Sequence, residues 1–193
     1  MFRFHAKFSL LVLTLGLWNV AHTAPAAFKT TLTDLAGKTQ RLPIPGQKAT
    51  AIVFLAHDCP ISNAYAPEIN RIAADYAKRG VRFLLAYAES DLDAAGARQH
   101  AHSYGYKFPA VLDPKFRLSH ALGATVTPEV AVLSADGRTL YRGRIDNRFL
   151  SYGKKRAQPT QRDLRVALDA IVTGKPIPHA TTTAIGCFIP EAE

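Results

Sequence analysis

The chain has 193 residues, two cysteines and a formal net charge of +9, with 48% hydrophobic and 20% charged residues. Two cysteines in so long a chain are no disulfide scaffold, and a chain of this length buries a core without metal or disulfide staples. The basic excess gathers in the second half, from Arg138 to Arg156, and suits acidic partners, whereas no aromatic-interleaved basic stripe marks it for nucleic acid.

In chain order, Arg3 and Lys7 precede an apolar run from Phe8 to Trp18, and small residues follow around Ala21 to Ala27. That run falls short of the roughly 20 residues that cross a bilayer. With the Ala24-Pro25-Ala26 step behind it, it makes residues 1–26 a signal peptide and not a lasting membrane anchor. The expected location is therefore periplasmic or secreted, where a disulfide persists. No later stretch is apolar enough to span a membrane.

Phe28 to Leu42 alternates around a Leu35-Ala36-Gly37-Lys38 turn and reads as a β-hairpin. Ala49 to Leu55 is a continuous apolar run, as in a strand covered on both faces. From Ser62 to Arg79 the residues Tyr65, Ile69, Ile72, Ala73 and Tyr76 recur at helical spacing, with Gly80 as a stop. Val81 to Ala88 predicts a second buried strand and Asp91 to Tyr104 a second helix, completing a β-α-β unit.

A short strand at Ala110 to Leu112 and a helical turn near Phe116 to Leu122 come next. Two strands follow around Ala135-Asp136-Gly137-Arg138. The polar, basic stretch from Asp146 to Pro159 reads as a surface loop, and Gln161 to Val172 as a last helix closed by Gly174. The remainder is Pro-rich without amphipathic period, an extended tail and not a further element. This alternation of strands and helices is that of one α/β domain with a mixed sheet.

Cys59 stands between a strand and a helix, followed by Pro60. Unpaired backbone N–H groups and the positive end of the helix dipole favour thiolate over thiol at such a position. Pro60 fits there because the first helical residue needs no N–H. The expectation is an ionisable, reachable nucleophile; a buried, inert cysteine at a strand end is the plainer alternative.

Strand, Cys59-x-x-Ser62 and then Pro67 within the helix resemble the thioredoxin superfamily, whose Cys-x-x-Cys precedes a kinking helix proline. Thr127-Pro128-Glu129 is similar to that family's cis-proline loop, and the resemblance implies that this backbone lies beside the cysteine and pairs with substrate peptide. The N-terminal hairpin and the run from Phe108 to Asp146 resemble AhpC/TSA-type redoxins and TlpA-like exported thiol reductases more than plain thioredoxin. The likeness spans Phe28 to Val172, within an expected domain of residues 27–175 and a tail of residues 176–193.

Three departures limit what carries over. Ser62 replaces the second cysteine, and a hydroxyl cannot resolve a mixed disulfide. Ala56 stands where the peroxidase branch has a threonine, and Val53 where many thioredoxins have a buried acid. Peroxidase activity is accordingly the less expected branch.

Cys187, preceded by Gly186, takes the resolving role if the tail folds back over Cys59. The expected chemistry is thiol–disulfide exchange with protein thiols or small oxidants, reset by a partner reductase and needing no organic cofactor. Pro60, Ser62, Thr127 and Pro128 would shape the site. Two alternatives stay open: a purely structural Cys59–Cys187 bridge in a non-catalytic scaffold, and copper held by His57, Cys59 and Cys187 as in Sco-type chaperones. His102, His120 and His179 are stand-ins for the distal histidine of those chaperones. Glu129 and Asp58 read as exposed charges.

Overall fold

The computed structural model describes Met1 and residues 27–191, so the leader expected over residues 1–26 lies outside the described residues apart from Met1. No helix among the described residues is long and apolar enough to cross a membrane. An N-terminal hairpin, β1 (Thr30–Thr33) and β2 (Thr39–Leu42), pairs with Thr33 opposite Thr39. Its turn is tied by the buried Asp34 carboxylate, which accepts from Ala36 N and Lys38 N at 2.9 and 2.8 Å.

The central sheet has five strands: β3 (Ala49–Leu55), β4 (Val81–Tyr87), β5 (Ala110–Leu112), β7 (Glu129–Ser134) and β8 (Thr139–Gly143), in the order β5-β4-β3-β7-β8. β3, β4 and β5 run parallel, while β7 is antiparallel to both β3 and β8. The apolar run of β3 is buried throughout because each face of the sheet meets a core. Ala51, Val53 and Leu55 enter one cluster with Ile61, Tyr65, Ile69 and Leu168, and Ile52 and Phe54 enter another with Leu84, Leu118 and Leu133. Period-2 alternation thus persists inside a strand with no polar residue on either face but Thr50.

The helices form where the apolar spacing placed them, with starts set by local chemistry. α1 (Pro60–Ala77) begins two residues before the predicted Ser62, since Pro60 takes the first helical position and Cys59 caps it in extended conformation. α2 (Ala94–Ser103) starts later than predicted because the Asp93 carboxylate accepts from Gly96 N at 2.7 Å and fixes the helix start there. α3 (Arg117–Ala121) is short, and α4 (Asp163–Thr173) ends at Gly174, whose φ of 68° is the left-handed cap expected of a terminal glycine.

Two segments differ from their sequence reading. The supposed loop from Asp146 to Pro159 contains a hairpin, β9 (Phe149–Ser151) and β10 (Lys154–Lys155). Its base is pinned inside: Asp146 Oδ1 accepts from Tyr65 Oη at 2.5 Å and from Arg148 N at 2.8 Å, and Asn147 Oδ1 accepts from Thr160 N and Gln161 N. Three residues and two residues long, these strands are too short to carry an apolar alternation that would reveal them.

The C-terminal tail is extended but docked. Thr181 bridges to Arg142, and Thr182 Oγ1 lies 2.8 Å from the Tyr141 hydroxyl. Beyond these, β11 (Cys187–Phe188) pairs antiparallel with β6 (Val126–Thr127), and Ile189 is buried in the second core. Backbone pairing, not amphipathic spacing, holds this stretch, which is why the sequence pattern showed an extended tail and no further element.

Candidate functional site

Strand register brings the site together. Phe54, near the carboxyl end of β3, pairs with Glu129, the first residue of β7. The chain leaving β3 reaches Cys59, and the chain entering β7 arrives through Thr127 and Pro128, so both converge at the carboxyl end of β3. The Thr127–Pro128 bond is cis, as the resemblance implied; Leu42–Pro43 is also cis, which the sequence reading did not anticipate.

Cys59 and Cys187 are joined by a disulfide, with their Cα atoms 6.1 Å apart across a sequence separation of 128 residues. The two sulfurs have unequal surroundings. Cys59 is 1% exposed, against the expectation of a reachable thiol, because the tail covers it, whereas Cys187 is half-buried. Cys59 nevertheless keeps the expected place at the helix start, where its carbonyl accepts from Asn63 N at 3.0 Å. The amides of Ile61 and Ser62 have no carbonyl one turn earlier within the helix.

The Thr127 carbonyl oxygen lies 3.2 Å from Cys59 Sγ. A disulfide sulfur carries no hydrogen, so this contact becomes a hydrogen bond only when Cys59 is a thiol. Ser62 is fully buried and its hydroxyl has no hydrogen-bond partner. Three residues beyond Cys59, it lies on the same face of α1. Pro60 is exposed, and Thr127 and Pro128 form the wall against which the tail lies.

Glu129 corrects its reading as an exposed charge: it is 5% exposed. Its Oε2 accepts from Thr125 N at 2.8 Å and from Val126 N at 3.4 Å, and its Oε1 is 4.0 Å from the Arg142 guanidinium. The carboxylate braces the turn that presents Thr127 and Pro128. A buried charge needs such partners, and the fold supplies them.

A polar network lies behind the helix start. Glu89 accepts from His57 N through Oε1 at 2.6 Å, and its Oε2 is 2.5 Å from His57 Nδ1. Asn63 Nδ2 donates to the His57 carbonyl, so Asn63 Oδ1 is free to accept from His100 Nε2 at 2.9 Å. His100 Nδ1 then accepts from the Tyr87 hydroxyl at 2.8 Å. Burial and, after it, the neighbouring His57 lower the pKa of His100, in keeping with this neutral tautomer.

Sequence reasoning did not find Glu89, His100 or Tyr152. The Tyr152 hydroxyl sits at the tip of the β9–β10 hairpin, 3.5 Å from Cys187 Sγ. Only the fold brings Tyr152 to Cys187 and Glu89 and His100 to the residues flanking Cys59, and no motif spacing signals them. Among the described residues, the metal-type donors that cluster within 4.8 Å are His57, Asp58 and Glu89, not His57 with the two cysteines. His120, one of the stand-ins for a distal histidine, is occupied otherwise, its Nε2 donating to the Pro190 carbonyl at 2.9 Å. A surface cleft of about 640 Å³ is lined by Asn70, Arg71, Val81 and Phe108 and includes neither cysteine.

The Redoxin family model matches residues 19–152. The chain belongs to the Redoxin family. This redoxin has a thioredoxin-like fold, and the family match ends before Cys187, so the second sulfur comes from outside the matched region. No curated protein matches the chain.

Among solved structures, the redoxin is similar to an uncharacterized conserved protein from Geobacillus kaustophilus, with 27% identity, 86% of this chain and 89% of that chain covered, and a TM-score of 0.74. It is equally similar to a hypothetical protein from Sinorhizobium meliloti, with 26% identity, 84% and 91% covered, and a TM-score of 0.74. A secreted Mycobacterium tuberculosis disulfide oxidoreductase homologous to E. coli DsbE shares the fold, with 19% identity, 75% and 95% covered, and a TM-score of 0.52.

Proposed function

We propose that this redoxin is an exported, periplasmic or secreted, thiol–disulfide oxidoreductase that cycles the Cys59–Cys187 pair. The observation that carries the reading is the bridge itself. One sulfur caps a helix beside the Thr127–Pro128 loop, and the other stands half-open on a tail. Thiol–disulfide exchange needs in-line access to one sulfur and a good leaving thiolate at the other. Burial assigns these roles in the oxidised form: Cys187 is attacked and Cys59 leaves.

A thiolate of a partner reductase attacks Cys187 Sγ. The new bond joins partner sulfur to Cys187, the Cys59–Cys187 bond breaks, and its electron pair stays on Cys59 Sγ at the helix start. A second partner thiolate then attacks the partner sulfur of the mixed disulfide, leaving the partner oxidised and Cys187 reduced. In the forward direction the Cys59 thiolate attacks a protein disulfide or a small oxidant, and Cys187 displaces the mixed disulfide or sulfenate, restoring the bridge. Ser62 cannot perform that displacement.

The test is thiol trapping followed by mass spectrometry. A mild dithiol should open the bridge reversibly, and brief exposure of the mixture to acid should capture the partner on Cys187. A bridge that resists the dithiol assigns it to structure alone. The copper reading retains one supporting feature: Glu89 holds His57 through Nδ1, leaving Nε2 as the lone-pair nitrogen of the ring. Anaerobic Cu(I) titration of the reduced protein decides it, since tight stoichiometric binding lost in His57→Ala, Cys59→Ser and Cys187→Ser would favour copper, and unchanged binding removes it.

A further inference from the structure

The tail occupies the site in a particular way. Cys187 pairs with Thr127 and Phe188 with Val126 in antiparallel register, so residues 187–188 add a strand to the loop that ends in Pro128. The Thr127 hydroxyl reaches toward the Cys187 carbonyl at 3.4 Å. One residue earlier, Gly186 lies so close that a Cβ built on it would overlap the carbonyl of Thr127 and come within 3.1 Å of Pro128 N. The obstacle is backbone, held by the buried Glu129 brace, so it cannot swing aside as a flexible side chain would.

Past Cys187 the side chains alternate, Phe188 facing out and Ile189 in. Phe188 is 88% exposed, and the Tyr152 hydroxyl lies beside the sulfur. An extended strand, a cysteine bonded to Cys59 and a position ahead of it that admits no side chain together describe a ligand. The chain's own tail is its first occupant, favoured by covalent attachment and hence by high effective concentration.

The resemblance already implies that substrate peptide pairs with this loop; we infer that the loop selects polypeptides bearing glycine immediately before their reactive cysteine, and that Gly186, Cys187 and Phe188 hold it shut in the oxidised form. This rests on the reading of Cys59 as the nucleophile and adds to it a substrate class. Once the bridge opens, a partner's Gly-Cys segment exchanges for the tail, forming the same ladder and the same kind of bond to Cys59. A partner with a larger residue ahead of its cysteine meets the Thr127 carbonyl and loses the ladder.

The test uses the full reduced chain with Cys187→Ser, which leaves Cys59 as the sole thiol. Two peptides, Ala-Ile-Gly-Cys-Phe-Ile and Ala-Ile-Val-Cys-Phe-Ile, carry their cysteine as a mixed disulfide with thionitrobenzoate. Cys59 thiolate attacks the peptide sulfur, the peptide–thionitrobenzoate bond breaks, and the coloured thionitrobenzoate anion leaves with the electron pair. The glycine peptide should react faster by about tenfold or more, the penalty expected of overpacking against fixed backbone. Equal rates overturn the inference.

Adding Gly186→Val should expel the tail strand and raise the rate of the glycine peptide several-fold; an unchanged rate also overturns it. The peptide comparison is made on the Cys187→Ser chain alone and so does not depend on the folding of the Gly186→Val chain. Free dithionitrobenzoate reports Cys59 itself. If that small probe reacts no faster than with an ordinary thiol, the functional reading fails and this inference with it. If it reacts fast while the two peptides do not differ, only the glycine selection falls.

Discussion

The two ends of the redox pair sit in regions built on different principles. Around Cys59, α1 buries Ile61, Tyr65, Ala66, Ile69, Ile72 and Tyr76 against a sheet whose central strand has no exposed residue. Around Cys187, the chain is held by a two-residue ladder, by Ile189 in one core cluster with Ile185 packed partly buried against the other, and by a histidine bond to Pro190. One sulfur belongs to the core and the other to a strap, so opening the bridge loosens one side while the other keeps its geometry. In the proposed cycle that division makes Cys59 the fixed leaving thiolate and Cys187 the attacked sulfur on the strap.

The strongest way to break this comparison is to remove either sulfur. Cys59→Ser should abolish exchange, whereas Cys187→Ser should still attack disulfides and then stall as a mixed disulfide, visible as an added mass on Cys59. Either change removes a bridge across 128 residues and should lower unfolding free energy by about 2–5 kcal/mol, read by denaturant melts. Similar kinetics in the two variants would erase the assigned asymmetry.

Next in size is Ser62→Cys. A thiol one helical turn from Cys59 competes with Cys187 for it, so the oxidised variant should carry a bridge between Cys59 and the introduced thiol, and a released tail. Hydrogen exchange then sharpens the contrast: the Ile189 amide, which donates to Thr125 O at 2.9 Å, should exchange faster while the β3 amides stay protected. Loss of protection in both would show that strap and core are one unit. Smaller still, Tyr152→Phe should slow release of Cys187 from its mixed disulfide by about fivefold, the worth of a single hydrogen bond to the departing thiolate.

Core patterning carried the fold. Ala49–Leu55, Val81–Tyr87 and the spacing of Tyr65, Ile69 and Ile72 named the central strands and α1, because burial forces apolar residues into those periods. Cys59-Pro60 was legible because a proline fits the first helical position, and Thr127-Pro128 through its resemblance to a cis-proline loop. The β9–β10 hairpin and β11 were not legible, since their stability comes from buried polar groups such as Asp146 and Asn147, or from pairing with another backbone, and neither leaves a period in the sequence. Glu129 was misread for the same reason: its partners are the Thr125 and Val126 amides, and a sequence does not show where amides point.

The smallest expected effect tests the rigid side of the comparison. His100 donates through Nε2 to Asn63 on the first turn of α1 and accepts through Nδ1 from Tyr87, so it is neutral in the fold. Its pKa is lowered by burial first and by His57 second, below the ordinary value of 6.5 that it regains on unfolding. The unfolded chain therefore binds the proton more readily. The stability contributed by neutral His100 is complete above about pH 6.5 and declines as the pH falls below that value toward the depressed folded pKa. His100→Gln keeps a polar side chain without a titration, so its unfolding free energy should fall less between pH 7 and pH 5 than that of the parent, with both proteins oxidised to hold the tail constant. Parallel curves would mean that the network behind Cys59 does not resist protonation, and the fixed side of the redox pair would lose its electrostatic support.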